Sequence, residues 1–250
     1  MTTPVQPPEQ EEPAPIGPHE HEPHSDSLAT RLNALRAGVL GANDGIVSTA
    51  GLVMGVAAAT TDRQTILIAG IAGLTAGALS MAAGEYVSVS TQRDTERALI
   101  AKETRELAEE PEEELAELAG LYQQRGLSEG LARQVAMELT AHDALGAHLD
   151  AELGIDPDEL ANPWHAAWAS MLAFTVGALL PLLTIVSFGP DLRAVVTLIA
   201  VGIALAGTGW LSARIGEAPT RPAVLRNVAG GTIAMAITYG IGTIAGVGVA

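Results

Sequence analysis

Residues 65–110 read TILIAGIAGLTAGALSMAAGEYVSVSTQRDTERALIAKETRELAEE, and this stretch decides the fold. From Thr65 to Val89 it is apolar apart from a few hydroxyls and Glu85. A helix of about 20 apolar residues crosses a hydrocarbon core of about 30 Å. From Ser90 to Glu110 it turns polar and acidic, with no Pro or Gly at the change. The pattern predicts one long helix that leaves the membrane and continues in water. Pro111 breaks it and, as a residue favoured in the first helical turn, opens the next helix.

Four more apolar blocks flank this one, at about residues 35–59, 164–188, 192–213 and 224–249. The chain is 48% hydrophobic and 17% charged, and the two kinds of residue are segregated. Most of its 29 acidic residues precede residue 27 or lie between Asp94 and Glu159. A soluble helical protein interleaves them, because each surface helix needs a polar face. The expected fold is therefore all-α: a polytopic membrane protein with five transmembrane helices and a three-helix insert between spans two and three.

The expected organisation is a disordered, acidic, His-containing tail at 1–30, spans one and two at 31–93, the acidic insert at 94–160, and spans three to five at 161–250. The tail is rich in Pro and Glu, carries His19, His21 and His24, and lacks the apolar core of a signal peptide. In the insert, the second helix is expected over Glu112–Gln124, ending at Arg125–Gly126. The third is expected from the cap Ser128 to Glu152, ending at Gly154. Trp164 and Trp168 suit a membrane interface. Gly38, Gly41 and Gly45, then Gly70, Gly73 and Gly77, suit close helix packing.

Arginine and lysine in short loops set orientation. Arg31, Arg36, Arg93, Arg97, Lys102, Arg214, Arg221 and Arg226 fall on one side of a five-span arrangement; Arg63 and Arg193 fall on the other. The N-terminus and the insert are thus expected to be cytoplasmic and the C-terminus outside. There are no cysteines, which excludes thiolate metal sites and cysteine nucleophiles. A net charge of −16 argues against nucleic acid and for cationic partners.

Two acids sit inside predicted spans: Asp44 within Gly41-Ala-Asn-Asp-Gly45, and Glu85 within Met81-Ala-Ala-Gly-Glu85. A charge at the bilayer centre costs about 2.5–3.5 kcal/mol even on the lenient insertion scale. No lysine or arginine falls inside the expected spans beyond their first three residues, so a passing cation is the simplest partner. A protonated acid hydrogen-bonded within the bundle is the bland alternative. Met81 and Glu85 are four apart and share a helix face. Thioether beside carboxylate suits Fe²⁺ or another transition metal better than Mg²⁺ or Ca²⁺.

The insert supplies a second constellation. Glu103 and Glu106 are three apart, as are Glu114 and Glu117; His148 and Glu152 are four apart, as are Glu138 and His142. Three helices folded together would bring several carboxylates and a histidine onto shared metal ions. Each pair taken alone is as readily a solvated face. The Glu-x-x-His spacing of di-iron bundles is absent, which counts against an iron oxidase. No enzymatic activity, catalytic residue or resident cofactor is expected.

The stretches Arg36-Ala-Gly-Val-Leu-Gly-Ala-Asn-Asp-Gly-Ile-Val-Ser-Thr49 and Ala76-Gly-Ala-Leu-Ser-Met-Ala-Ala-Gly-Glu-Tyr-Val-Ser-Val-Ser90 resemble the vacuolar iron transporter family, in its form with a cytoplasmic metal-binding domain. The resemblance implies a homodimeric five-span carrier that moves Fe²⁺, and often Mn²⁺, out of the cytosol in exchange for protons. It implies that Asp44 and Met81 line the ion pathway at the dimer interface with Glu85 close by. It implies further that Glu103, Glu106, Glu114, Glu117 and Glu152 capture metal. One departure stands out: His148 occupies the place where the resemblance leads one to expect methionine, and imidazole makes capture more sensitive to pH. The expected location is a bacterial cell membrane. A membrane-anchored metal buffer or sensor that transports nothing is the alternative, and intramembrane acids speak against it.

Overall fold

The computed structural model describes the backbone of residues 25–157 and 160–247, and side chains within them from 38 to 246. Among the described residues seven α-helices run in order: α1 (Ser25–Ala59), α2 (Arg63–Glu109), α3 (Pro111–Gln124), α4 (Glu129–His148), α5 (Pro163–Ser187), α6 (Pro190–Ile215) and α7 (Thr220–Val247). A π-helical turn, Leu149–Leu153, follows α4. Five of these are membrane spans: α1 over Gly38–Ala59, the apolar part of α2, α5, α6 and α7. Of the expected acidic tail, residues 1–24 lie outside the described residues, and from Ser25 the backbone is already helical.

The spans are joined tightly because their ends are capped. Asp62 caps α2 by accepting hydrogen bonds from the backbone N–H groups of Gln64 and Thr65. Asn162 does the same for α5, whose first residue is Pro163. The C-terminal end of α1 is held from another helix. Arg193, buried in the first turn of α6, donates to the carbonyl oxygens of Ala57, Thr60 and Thr61 at 3.4, 2.9 and 3.3 Å. Ala57 is in the last turn of α1, where carbonyls lack helical partners, and Thr60 and Thr61 lie in the link to α2, so one side chain closes the α1–α2 turn.

Helix α1 lies at the centre, packed on α5, α7, α2 and α6. Its Ile46, Ala50, Val53 and Met54 form a core with Ile66, Leu182, Ile185, Val201, Leu205 and Met235. Large apolar side chains elsewhere face outward: Val176, Ile203 and Leu225 are each 69% exposed and Ile244 is 77% exposed. A soluble protein rarely exposes so much apolar surface; hydrocarbon accepts it. Close approach of α1 and α5 depends on two glycines. A methyl group at Gly45 would fall on the carbonyl oxygen of Phe174, and one at Gly177 would fall on that of Ala42.

Helix α2 is unbroken for 47 residues, about 70 Å at 1.5 Å per residue, so its C-terminal half projects well past the spans. There α3 and α4 fold against it around Leu118, with Ala119, Ala136 and Ala151. Gly126 (φ 104°) and Gly154 (φ 61°) close α3 and the π turn in the left-handed conformation that glycine tolerates. Arg125 ties the two ends together by donating to the Ala151 carbonyl at 2.8 Å.

The expected helix from Ser128 to Glu152 is not continuous. Asp143 adopts an extended conformation (φ −157°, ψ 94°), and its carboxylate accepts from the Gly146 N–H at 3.0 Å, capping a fresh turn. The π turn then adds a residue to the repeat. Across that turn His148 is fully buried, whereas Glu152, four residues on, is exposed.

Candidate metal sites

The first site lies where the extension of α2 meets α3 and the end of α4. Glu103 comes from α2, Glu114 from the first turn of α3, and His148 from the last residue of α4. Nδ1 of His148 lies 2.9 Å from Oε1 of Glu103 and 3.5 Å from Oε2 of Glu114. The three side chains are 1%, 4% and 8% exposed for His148, Glu103 and Glu114 respectively. Burial on this scale normally demands hydrogen-bond partners. Yet Oε1 of Glu103 and both ring nitrogens of His148 have none, despite the close approach of the two residues.

One ligand atom from each residue lies within 4.8 Å of the other two. Three atoms all at that outer limit would leave an equidistant point about 2.8 Å from each, so contraction of under 1 Å suffices to reach the 2.0–2.2 Å of nitrogen and carboxylate bonds to a transition metal. Two carboxylates and an imidazole suit Fe²⁺, Mn²⁺ or Zn²⁺. Burial raises Glu103 above the ordinary glutamate value of 4.5, and the charges of Glu152, Glu106 and Glu117 add to the rise while Lys102 opposes it. Burial likewise raises Glu114, aided by Glu103, Glu117 and Glu106 and opposed by His148. A dication at the centre would relieve both carboxylates.

The other acids expected in this cluster stand outside it. Glu106 pairs with Lys102 at 2.6 Å, and Glu117 and Glu152 are exposed. They surround the buried trio at the range where charges act but ligand atoms do not touch. Glu138 accepts from Gln134 at 3.1 Å, and neither it nor exposed His142 joins.

The second site lies in the spans, and α5 serves as a ruler for its depth. The ring of Tyr86 packs against Trp164, the second residue of α5, at 4.7 Å between centroids. Gly45 of α1 and Gly77 of α2 both abut Phe174, ten residues further along α5, or about 15 Å at helical rise. Asp44, beside Gly45, is thus near the middle of a core about 30 Å thick. Glu85, beside Tyr86, belongs at the end of the span and not deep within it as its sequence position suggested.

Asp44 and Met81 line the same two cavities. One, of about 230 Å³, adds Ser48, Thr49, Ser80 and Phe174. The other, of about 450 Å³, adds Leu40, Asn43, Val47, Arg226 and Asn227. Glu85 lines neither. The hydroxyls of Ser48 and Thr49 follow Asp44 along α1, and the buried Oγ1 of Thr49 and Oδ1 of Asn43 have no hydrogen-bond partner. Helical spacing points to Ser48, four residues after Asp44. Arg226, two residues inside the apolar block expected from about residue 224, lies deeper than that block implies, because α7 already begins at Thr220.

Five apolar helices, a carboxylate and a thioether at mid-span, and a buried donor cluster on a helical insert define a polytopic membrane protein with candidate cation sites in and beyond its bilayer region. Comparison with known proteins then gives the family: the model of the VIT family matches residues 35–243, and the chain belongs to it. It is 44% identical over 222 residues to a protein of Acanthamoeba castellanii named vacuolar iron transporter, across 88% of this chain and 82% of that one. It is 36% identical over 213 residues to VIT-like transporter 1b of Glycine max, across 84% and 76%. With vacuolar iron transporter homolog 2 of Arabidopsis thaliana it shares 35% over 224 residues, across 89% of each chain.

Proposed function

We propose that this protein is a carrier of divalent metal ions, with Fe²⁺ and Mn²⁺ as cargo, exporting them from the cytosol in exchange for protons. Supporting iron are the names of its relatives and a mid-span pathway that pairs carboxylate with thioether. The observation that carries the reading is Asp44, held at mid-span between two cavities with Met81 in both. Asp44 is exposed on a single chain. Lipid does not solvate a carboxylate, which supports a second copy covering it in a homodimer.

Glu103, Glu114 and His148 capture the ion, with Glu106, Glu117 and Glu152 attracting it. Carboxylates that lose protons on binding and regain them on release provide the exchange. The orientation rests on basic residues: Arg93, Arg97 and Lys102 follow the second span on the insert side, while on the opposite side Arg193 is occupied in capping α1. The insert is thus cytoplasmic, the C-terminus lies outside, and a bacterial cell membrane is the setting. A membrane-anchored buffer has one observation in its favour, that the most complete ligand cluster lies in the insert; Asp44 at mid-span is then unexplained.

Proteoliposomes loaded with a metal-sensitive dye decide between them. Uptake of Fe²⁺ or Mn²⁺ should accelerate with an opposing proton gradient and vanish in Asp44→Ala. Uptake by Asp44→Ala at the unmodified rate would overturn the assignment.

A further inference from the structure

We infer that Arg226 is the standing counter-cation of Asp44, sharing its cavity when cargo is absent and displaced by an entering divalent ion. The inference deepens the carrier reading and rests on it.

Both side chains line the cavity of about 450 Å³, whose wall also includes Asn43 and Met81. Their depths agree. Gly231 of α7 packs beside Val47, and Thr238 lies beside Gly51 and Gly55, so α1 and α7 run parallel. Arg226 precedes Gly231 by five residues and Asp44 precedes Val47 by three, an axial offset of about 3 Å. Among the described residues no ion pair within 4.0 Å joins them; the arginine shares the cavity without locking the carboxylate. Asn227, its neighbour, donates to Thr208 of α6 at 3.4 Å and so fixes the rotation of this turn. The buried Oδ1 of Asn43, which lacks a donor, offers the guanidinium a second acceptor.

Opposite charges at this depth favour one another, because each is costly alone in hydrocarbon. A monovalent ion replacing a tethered monovalent cation gains little from Asp44, whereas a dication gains from its second charge. Arg226 is thereby a specificity-determining residue that admits divalent over monovalent ions. In the competing bland reading, the long side chain reaches to the headgroups and only anchors α7.

The test uses full-length protein in proteoliposomes with Mn²⁺ as cargo. Arg226→Gln should lower KM roughly three- to tenfold, the effect of removing an internal competitor. It should also make uptake sensitive to millimolar Na⁺ or K⁺, with Arg226→Lys close to the unmodified protein. An unchanged KM without monovalent inhibition, or equal impairment of both variants, overturns the inference. Should Arg226→Gln not fold, phenylglyoxal labelling of the unmodified chain decides. Mn²⁺ should increase modification of Arg226, Asp44→Asn should do so without metal, and no change in either case is the refuting result. Uptake surviving in Asp44→Ala would sink the carrier reading itself; loss there with an unaltered Arg226→Gln sinks only this inference.

Discussion

Glu103→Gln keeps the shape of a buried side chain and removes its charge, so the two roles of that residue separate. Glu103 is buried, unpartnered at Oε1, and 2.9 Å from His148. Without metal its carboxylate is disfavoured by burial and by Glu152, Glu106 and Glu117. The amide should therefore stabilise the metal-free insert at neutral pH by about 0.5–2 kcal/mol, the range seen when a strained functional residue is relieved. With metal the sign reverses. Losing even an outer partner of a ligand costs about 10–100-fold in affinity. A charged direct ligand belongs at or beyond the upper end, about 2.8 kcal/mol. Isothermal titration with Mn²⁺ on detergent-solubilised protein, beside thermal melting in chelator, reads both quantities. Affinity should fall at least about 100-fold while the metal-free melting temperature rises. Unchanged affinity refutes the ligand role, and a fall in both shows a merely structural carboxylate.

Gly45→Ala should destabilise the protein by about 1–3 kcal/mol, read as a lower melting temperature, because the new methyl group meets the Phe174 carbonyl on a neighbouring backbone. Unaltered melting would mean that α1 and α5 part without loss. Glu103 and Glu114 are raised in the folded state above 4.5, so that state binds more protons than the unfolded chain. Their contribution to stability is complete below about pH 4.5 and is lost as pH rises through the raised values. Melts of metal-free protein should show this slope against a Glu103→Gln, Glu114→Gln control, whereas Mn²⁺ affinity should climb over the same window.

Much of this was legible because the decisive signals are local. The 47-residue α2 follows from an apolar run entering a polar one with no breaker, and Pro111, Gly126 and Gly154 end segments where their backbone preferences require. Spacing found Glu103–Glu106 and Glu114–Glu117 as pairs. Which member turns inward depends on how three helices pack around Leu118, and no single-helix pattern contains that. The break at Asp143 was hidden because its capping bond needs Gly146 held three residues on. Depth was misjudged for Glu85, since Tyr86, Val87 and Val89 prolong the apolar run, and only the Tyr86–Trp164 contact marks the level. The apolar block starts only at about residue 224, yet proline is tolerated in a first turn, so α7 begins at Thr220, runs through Pro222 and carries Arg226 further in.

One helix carries both Met81 and Glu103, and this constrains how the two sites cooperate. They are separated by 22 residues of α2, about 33 Å along the axis. No ion passes between them by ligand exchange over that distance; it must leave the insert before reaching Asp44. On the proposed reading the insert acts by raising the metal concentration at the mouth marked by Glu85 and Tyr86, and mid-span chemistry sets the turnover. In the proposed cycle the Glu103→Gln defect therefore lies in KM and is overcome by saturating metal, while the Asp44→Ala defect lies in kcat and is not. A Glu103→Gln protein whose maximal rate stayed depressed at saturation would require a tighter mechanical link through α2 than this spacing allows.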